Sequence, residues 1–262
     1  MKKLIAVICA LCVIAFAAAS AEGILGQEIP DFTVSLTDGS SVTLSELLKE
    51  KELVVLNVFA TWCGPCQAEF PEMEEVYGKY SGQVEIVAVS GAMDDTMEEV
   101  SAFQEAFGLS FPMGMAGDAL DFLEVAGFPT TVMIDRNGKA GAFRLGMFSS
   151  GEQFEAMLLP FLGEDYQEKL VVPVCVVDNK WQLVSGAQIR CCAGEAYEVI
   201  ETGDDGYGLL VMDPQETYQI TILALPEGYS FDPEAEAKMD TYGNYVLYVT
   251  KDKPAEEEKA GS

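Results

Sequence analysis

Apolar and polar residues recur with two different periods between residues 22 and 165. Short apolar runs rich in β-branched residues predict buried strands, and apolar side chains spaced by three and four residues predict helices. The predicted strands lie at 32–36, 53–59, 84–89, 131–134 and 140–145, and the predicted helices at 44–51, 65–80, 96–107 and 151–162. Thr43 is predicted to cap the first helix, with Glu46 as its capping-box partner. Strands alternating with helices predict a mixed α/β sheet covered on both faces.

The pattern changes from about residue 170, where short alternating strands separated by turn residues replace the helices. The predicted strands lie at 171–177, 187–191, 197–201, 207–212, 218–223 and 245–250. This spacing is typical of an all-β sandwich. We therefore predict a first domain over residues 22–165, a smaller all-β sandwich domain over 170–250, and a disordered acidic tail over 251–262.

Residues 1–21 have the pattern of a secretion signal. A basic start at Met1-Lys2-Lys3 precedes an apolar run over 4–18, and Ala19-Ser20-Ala21 offers a small-residue cleavage site. The apolar run is about fifteen residues long, which is short of the roughly 20 residues that span a bilayer. We expect an exported, extracytoplasmic protein, with an uncleaved membrane anchor as the alternative.

The chain is strongly acidic, with 43 Asp and Glu against 15 Lys and Arg and a formal net charge of −28 at pH 7. Negative charge on this scale makes nucleic acid and anionic membrane surfaces poor partners. Solubility is the role that we assign to this charge.

Two cysteines spaced by two residues stand where a predicted strand gives way to a predicted helix, in Trp62-Cys63-Gly64-Pro65-Cys66. The unpaired N–H groups and the positive dipole end of a helix N-terminus favour a thiolate at Cys63. A thiolate is the form that attacks disulfides. The spacing also lets Cys66 resolve the mixed disulfide that Cys63 forms.

Other uses of such a pair are a zinc site, haem attachment and a structural disulfide. The chain contains no His, which argues against a zinc site and against haem attachment. A structural disulfide across four residues would be unusual beside a buried strand. We therefore predict redox chemistry with no metal and no cofactor other than the Cys63–Cys66 disulfide itself.

Residues 26–162 resemble the TlpA/ResA-like branch of the thioredoxin superfamily. The motifs that carry the resemblance are residues 26–32, residues 55–66, Glu69-Phe70-Pro71, residues 127–131, residues 134–138 and Gly146. The resemblance implies an α/β thioredoxin fold in an exported thiol–disulfide oxidoreductase. It implies oxidised protein thiols as substrates, with cytochrome c maturation among the uses, and a membrane thiol-electron transporter of the CcdA/DsbD type as donor.

The resemblance also implies a substrate-binding surface beside the cysteines. Pro129 matches the family's cis-proline, which lies against the active disulfide and positions the substrate backbone. Phe128 and Thr130 flank it. Trp62, directly before the cysteines, is expected to be the exposed aromatic flank of the site. An ordinary loop proline is the alternative interpretation of Pro129.

Glu69 matches the acidic residue three positions after the second cysteine in ResA-like proteins. One turn inside the helix, it is expected to accept the proton of Cys66. The alternative is a solvated first-turn Glu stabilised by the helix dipole. Asn57 stands where cytosolic thioredoxins carry a buried Asp, and an amide cannot ionise. Glu69 is therefore the better candidate for a general base.

The segment after residue 170 resembles the Cna B-type, prealbumin-like domains of Gram-positive surface proteins. The resemblance rests on residues 176–178, 183–189, 207–208 and 225–229. Val176 stands where that family's reactive Lys is expected, and residues 249–251 lack the expected Asn, so we predict no isopeptide crosslink. The resemblance suggests a Gram-positive-like cell surface and a cell-surface partner for this domain.

Three further cysteines, Cys175, Cys191 and Cys192, lie in this segment. We expect Cys175 to pair with Cys191 or Cys192 in a structural disulfide. Strand alternation places Cys191 and Cys192 on opposite faces, so only one of them is well placed for a given partner. The alternative is that Cys175 or Cys192 is a second redox relay for Cys63.

Three functional hypotheses follow. Gly64-Pro65 is the dipeptide of reducing thioredoxins, so disulfide reduction is favoured over disulfide oxidation. A thiol peroxidase is a poorer hypothesis, because such enzymes need a Thr three residues before the reactive Cys, where this chain has Ala60. The third hypothesis is a surface-binding or adhesion module that uses the thioredoxin-like part as a scaffold.

Overall fold

The computed structural model describes residues 23–252 except residues 124, 241 and 242. The predicted signal at 1–21 and residues 253–262 of the predicted tail lie outside the described residues. Lys251, which we assigned to the tail, instead ends a short strand. No helix in the described part of the chain is both long and apolar enough to cross a bilayer.

The elements follow one another as strands and helices and then as strands alone. The helices are α1 (Leu44–Leu47), α2 (Gly64–Tyr80), α3 (Met97–Phe107) and α4 (Gly151–Leu158). The first seven strands are β1 (Thr33–Leu36), β2 (Ser41–Thr43), β3 (Leu53–Phe59), β4 (Val84–Ser90), β5 (Met113–Met115), β6 (Thr130–Asp135) and β7 (Ala140–Leu145). The later strands are β8 (Leu170–Val177), β9 (Gln188–Ala193), β10 (Ala196–Glu201), β11 (Tyr207–Met212), β12 (Tyr218–Ala224), β13 (Tyr229–Ser230), β14 (Lys238–Met239), β15 (Tyr245–Tyr248) and β16 (Thr250–Lys251).

A mixed sheet forms the centre of the molecule. Its strand order is β14-β15-β8-β7-β6-β3-β4-β5-β1-β2, with β11 also paired to β8. The central strands β3 and β4 are parallel and completely buried, and β6 runs antiparallel to β3. Apolar clusters cover both faces of β3, one containing Val55 and Phe59 and the other containing Val54 and Leu56. The predicted mixed sheet covered on both faces is therefore confirmed.

Helix α2 is held against the sheet by a cluster of aromatic rings around Phe70. The ring of Phe70 is fully buried, and its centroid lies 5.1 Å from that of Phe59, 5.7 Å from that of Phe103 and 5.8 Å from that of Phe111. Because α2 carries the two cysteines on its first turn, this packing also fixes their position.

Replacing Phe70 by Ala is expected to lower the free energy of unfolding by about 3–5 kcal/mol, because it leaves a cavity that the surrounding rings cannot fill. Denaturant unfolding of the oxidised protein measures this loss. Phe107→Ala is the matched control, since that ring stacks on Phe103 at 4.5 Å but is 36% exposed. Equal losses in the two variants would contradict the assignment of Phe70 to the core.

The strands after residue 170 form a sandwich with its own core. The sheet of β8, β11 and β15 faces a three-stranded sheet of order β10-β9-β12, and the side chains between them form one apolar cluster. The main sheet is continuous across both parts, because β7 pairs with β8 at Ala142 and Val171. We call residues 23–165 the N-terminal region and residues 170–252 the C-terminal region.

The first helix begins at Leu44 with Thr43 as its N-cap residue, as predicted, but its predicted end at Lys51 and the predicted capping box are wrong. Helix α1 ends at Leu47, and the Thr43 side chain makes no cap hydrogen bond. The Thr43 hydroxyl is bonded instead to Thr33 Oγ1 at 2.8 Å, on the neighbouring strand β1. A Thr-x-x-Glu capping box does form at Thr96 and Glu99, at the start of α3.

Candidate active site at the start of helix α2

Cys63 is the N-cap residue of helix α2. Its backbone is extended, and its Sγ accepts a hydrogen bond from the N–H of Cys66 at 3.2 Å. Pro65 occupies the first turn, where its missing N–H costs no helical hydrogen bond. A sulfur placed in this way faces the positive end of the helix dipole, which stabilises a thiolate.

Cys63 and Cys66 are joined by a disulfide bond, with their Cα atoms 5.3 Å apart. The two differ in exposure: Cys63 is 5% exposed, whereas Cys66 is fully buried beneath it. Cys63 is therefore the sulfur that an incoming disulfide can reach, and Cys66 can act only on a group already attached to Cys63.

A shallow cavity of about 430 Å³ lies against Trp62, the residue directly before Cys63. It is lined by Trp62, Gly91, Ala92, Met93, Asp94 and Phe128. The Trp62 side chain is 61% exposed, its ring meets Phe128 edge-on with centroids 5.9 Å apart, and its Nε1 donates to Asp94 Oδ1 at 3.3 Å. This apolar rim with one carboxylate can receive an extended peptide.

Sequence reasoning found Trp62 and Phe128 but missed the loop at residues 91–95. Asp95 ties this loop down, because its carboxylate accepts hydrogen bonds from Thr61 N at 2.8 Å, Thr61 Oγ1 at 2.6 Å and Ser90 Oγ at 2.5 Å. Gly91 packs so closely that a Cβ there would lie 2.8 Å from Val58 Cγ1. Strands β3 and β4 are parallel neighbours in which Phe59 pairs with Ser90, so the segments that follow the two strands lie side by side. This pairing is the signal that would have identified the loop.

The Phe128–Pro129 peptide bond is cis, as the resemblance implied. The Pro129 carbonyl accepts from Gly146 N at 2.9 Å, which connects this loop to the turn after β7. Gly146 has φ +98°, a conformation that favours glycine. Thr130 differs from its assignment, because its side chain is buried and its hydroxyl donates to Gly127 O at 2.7 Å rather than facing the cavity.

Glu69 lies one turn into α2, three residues after Cys66 and therefore on the same face of the helix. Its side chain is fully buried, so the alternative of a solvated first-turn Glu is wrong. Asn57 Nδ2 donates to Glu69 Oε1 at 2.9 Å and to Thr131 Oγ1 at 3.0 Å, and Phe148 N donates to Glu69 Oε2 at 3.0 Å. Asn57 and Thr131 face one another on β3 and β6, which explains how the cluster assembles.

The environment of Glu69 has two opposing effects on its carboxyl group. Burial raises the pKa of Glu69 to about 7, because removing the carboxylate from water penalises its charge. The donors Phe148 N–H and Asn57 Nδ2, with the charge of Arg144, act in the opposite direction and only partly offset burial. A carboxyl group with this pKa exchanges protons near neutral pH, which suits proton transfer with a buried thiol.

The predicted pairing among Cys175, Cys191 and Cys192 is absent, since the structure has all three as free thiols. Cys191 belongs to the apolar cluster inside the sandwich. Val174 and Val176 on β8 also belong to this cluster. Side chains alternate along a strand, so Cys175 between them points to the other face of its sheet. Cys191 on β9 packs against the inner face of the sheet that contains β8, whereas Cys175 lies on the outer face of that sheet, so the sheet separates the two sulfurs.

The alternative relay role is not supported for Cys175, and it stays a prediction for Cys192. Burial raises the pKa of both Cys175 and Cys191 to about 12, so neither forms a thiolate at neutral pH. Cys192 is partly exposed on the outer face of β9 and is the one accessible thiol of the three. Its exposure makes it a source of background reactivity in thiol assays, which Cys192→Ser removes.

The family match lies in the N-terminal region. The Redoxin family model matches residues 24–148. A thiol-disulfide oxidoreductase ResA of Oceanobacillus iheyensis is 39% identical over 122 residues, which are 44% of this chain and 62% of that protein. The thioredoxin-like protein YneN of Bacillus subtilis is 32% identical over 130 residues, 48% of this chain and 75% of that protein. A ResA of Bacillus thuringiensis is 34% identical over 137 residues, 51% of this chain and 76% of that protein.

Proposed function

Because this chain belongs to the family of ResA-like thiol–disulfide oxidoreductases, we propose that it reduces disulfide bonds of extracytoplasmic proteins by exchange at Cys63 and Cys66. The observation that carries the proposal is the position of Cys63, which caps helix α2 at the edge of the Trp62 and Phe128 cavity while Cys66 lies buried beneath it. The matched region ends before residue 170, so the proposal concerns the N-terminal region first.

The exchange takes place in two displacements. In the reduced protein the Cys63 thiolate attacks one sulfur of the substrate disulfide, and the other substrate sulfur leaves as a thiolate. Cys66 then passes its proton to the Glu69 carboxylate, and its thiolate attacks Cys63 Sγ. The second substrate thiolate leaves, and the Cys63–Cys66 disulfide remains. Two electrons have moved from the protein to the substrate, and two substrate thiols take up protons.

The direction of transfer rests on the Gly64-Pro65 dipeptide, which favours reduction. A reductase needs its disulfide reduced again, and a membrane thiol-electron transporter of the CcdA/DsbD type is the donor that we propose. A measured reduction potential near about −270 mV would support this direction, whereas one near about −120 mV would reverse it. Ala60, fully buried three residues before Cys63, favours disulfide exchange over peroxide reduction.

Export, cytochrome c maturation as a use, and a cell-surface partner for the C-terminal region are part of the same proposal. A disulfide reductase acts on oxidised cysteines, and an extracytoplasmic location supplies substrates of this kind. The strands after residue 170 support a Cna B-like module, since they form a sandwich with its own apolar core.

Substituting Cys66 by Ser is expected to trap the substrate. Without Cys66, the mixed disulfide on Cys63 has no internal thiol to displace it, so it persists until an external thiol is added. The measurement uses the reduced full chain with a disulfide-bonded peptide, followed by non-reducing electrophoresis and mass mapping of the attached residue. We expect one adduct, on Cys63, that dithiothreitol releases.

Both the Cys66→Ser protein and its control, Cys63→Ser/Cys66→Ser, carry Cys192→Ser, which removes the partly exposed thiol. We expect no adduct with the control. Adducts of equal yield in the control, or attachment anywhere other than Cys63, would overturn the proposed function.

A further inference from the structure

Arg144, near the end of β7, is an arginine buried in the fold, with 8% of its surface exposed. Its Nε and Nη2 both donate to the carbonyl oxygen of Met147, at 3.1 Å and 3.0 Å. Burying a guanidinium carries a large desolvation cost, so such a residue is kept where its position serves a purpose. Burial lowers the pKa of Arg144 from its usual value, although the group remains charged at neutral pH.

Arg144 holds the turn that supplies a donor to Glu69. Its two bonds fix the carbonyl of Met147, and its guanidinium carbon lies 5.1 Å from the ring centroid of Phe148, the next residue. The N–H of Phe148 is the donor to Glu69 Oε2. Arg144 therefore orients the peptide group that binds the carboxylate, and its charge favours the ionised form of Glu69.

The other side of Arg144 is covered by the C-terminal region. The ring centroid of Tyr207, the first residue of β11, lies 5.4 Å from the guanidinium carbon. Asp205 holds this contact in place, since it accepts from Tyr207 N at 3.0 Å and from Gln153 Nε2 of α4 at 2.5 Å. A guanidinium between two aromatic rings is shielded from water, and its field at Glu69 is correspondingly stronger.

We propose that Arg144 is a positioning residue for Glu69, held in place by Tyr207, so that the C-terminal strands contribute to proton transfer at the disulfide. The proposal rests on the proposed function, in which Glu69 accepts the proton of Cys66. The charged and titratable groups that act on Arg144 are Tyr207, Glu69 and Asp205, and the charge that acts on Glu69 is that of Arg144.

The test is a ¹³C NMR titration of the Glu69 carboxyl group in the oxidised full chain, in which Cys63 and Cys66 do not titrate. Glutamate labelled at its side-chain carboxyl gives the signals, and Glu69→Gln identifies the one that belongs to Glu69. We expect a midpoint near 7 in the wild-type protein and a midpoint about one pH unit higher in Arg144→Met, because the neutral side chain no longer stabilises the carboxylate.

Arg144→Lys retains the charge, so its midpoint is expected to lie closer to the wild-type value than to that of Arg144→Met. Lys139→Met is the matched control: it removes the same charge from a half-exposed side chain paired with Glu168, and it should leave the midpoint unchanged. An Arg144→Met midpoint equal to wild type, or an equal rise in Lys139→Met, overturns the proposal.

Tyr207 provides a second test that leaves Arg144 intact. Tyr207→Leu removes the covering ring and admits water to the guanidinium, so the Glu69 midpoint should rise by a smaller amount. Tyr207→Phe keeps the ring, so the Glu69 midpoint should stay at its wild-type value. An unchanged midpoint in a folded Tyr207→Leu protein overturns the role of the C-terminal region. None of these measurements requires catalysis, so they are independent of the trapping experiment on Cys63.

Discussion

Replacing Cys63 by Ser is expected to abolish disulfide exchange, lowering the rate by more than about a hundredfold. A serine hydroxyl is not ionised at neutral pH, and the remaining Cys66 is fully buried, so no other sulfur of the pair can reach a substrate. The reduced protein is mixed with a symmetrical aryl disulfide whose thiolate absorbs visible light. In the wild-type protein, attack by Cys63 releases one equivalent of coloured thiolate, and attack by Cys66 releases a second.

The same assay separates the roles of the two cysteines. Cys66→Ser should release the first equivalent at an unchanged rate and then stop, whereas Cys63→Ser should release neither. All proteins carry Cys192→Ser, because that thiol is partly exposed. A Cys63→Ser protein that still released colour at the wild-type rate would show that the attacking sulfur had been assigned to the wrong residue.

Replacing Glu69 by Gln is expected to slow the second phase about a hundredfold while leaving the first phase nearly unchanged, because only Cys66 depends on this carboxylate to accept its proton. Gln keeps the size of the side chain and one acceptor oxygen, so it retains the hydrogen bond from Asn57 Nδ2 or the one from Phe148 N, but not both. In the wild-type protein the second phase should accelerate as the pH rises through about 7, where Glu69 ionises. The variant should lack that rise.

Glu69 should also affect stability, with a sign that follows from its raised pKa. Between the ordinary value of 4.5 and about 7, the folded protein keeps a proton that the unfolded chain has lost. The free energy of unfolding therefore falls by about 3 kcal/mol in total as the pH rises through this window. Above the window, Glu69 causes no further loss. Denaturant unfolding of the oxidised protein at pH 5 and pH 8 measures this fall. An identical pH dependence in Glu69→Gln and wild type would show that Glu69 is not the group responsible.

The parts that could be predicted from sequence are those with local causes. The apolar runs of β3 and β4, the helical spacing along α2 and the position of Cys63 at a helix start follow from residues close together in the chain. Thr43 shows the limit of such signals. It has the same spacing to a Glu as Thr96, but a neighbouring strand offered its hydroxyl another partner, Thr33.

The parts that could not be predicted depend on contacts between distant segments. The sequence gives Arg144 the pattern of an ordinary strand residue. Its burial depends on Tyr207, 63 positions later, whose ring covers it in the folded protein. The sequence predicts a disulfide between Cys175 and Cys191 or Cys192, but Cys175 lies on the face of β8 that points away from the cluster containing Cys191, and all three thiols are free. The burial of Glu69 depends on the turn at Phe148, which local pattern does not reveal.

The continuation of the main sheet through β7 and β8 also determines how the molecule meets other copies of itself. An unpaired strand at the edge of a sheet can template the addition of a foreign strand and start aggregation. Here the long strands lie in the interior of the order, and the two terminal strands, β2 and β14, have only three and two residues. Little backbone is left open at these two strands. Strand β11, with six residues and β8 as its only partner among the described strands, is the longest edge of this sheet at which a further strand can add.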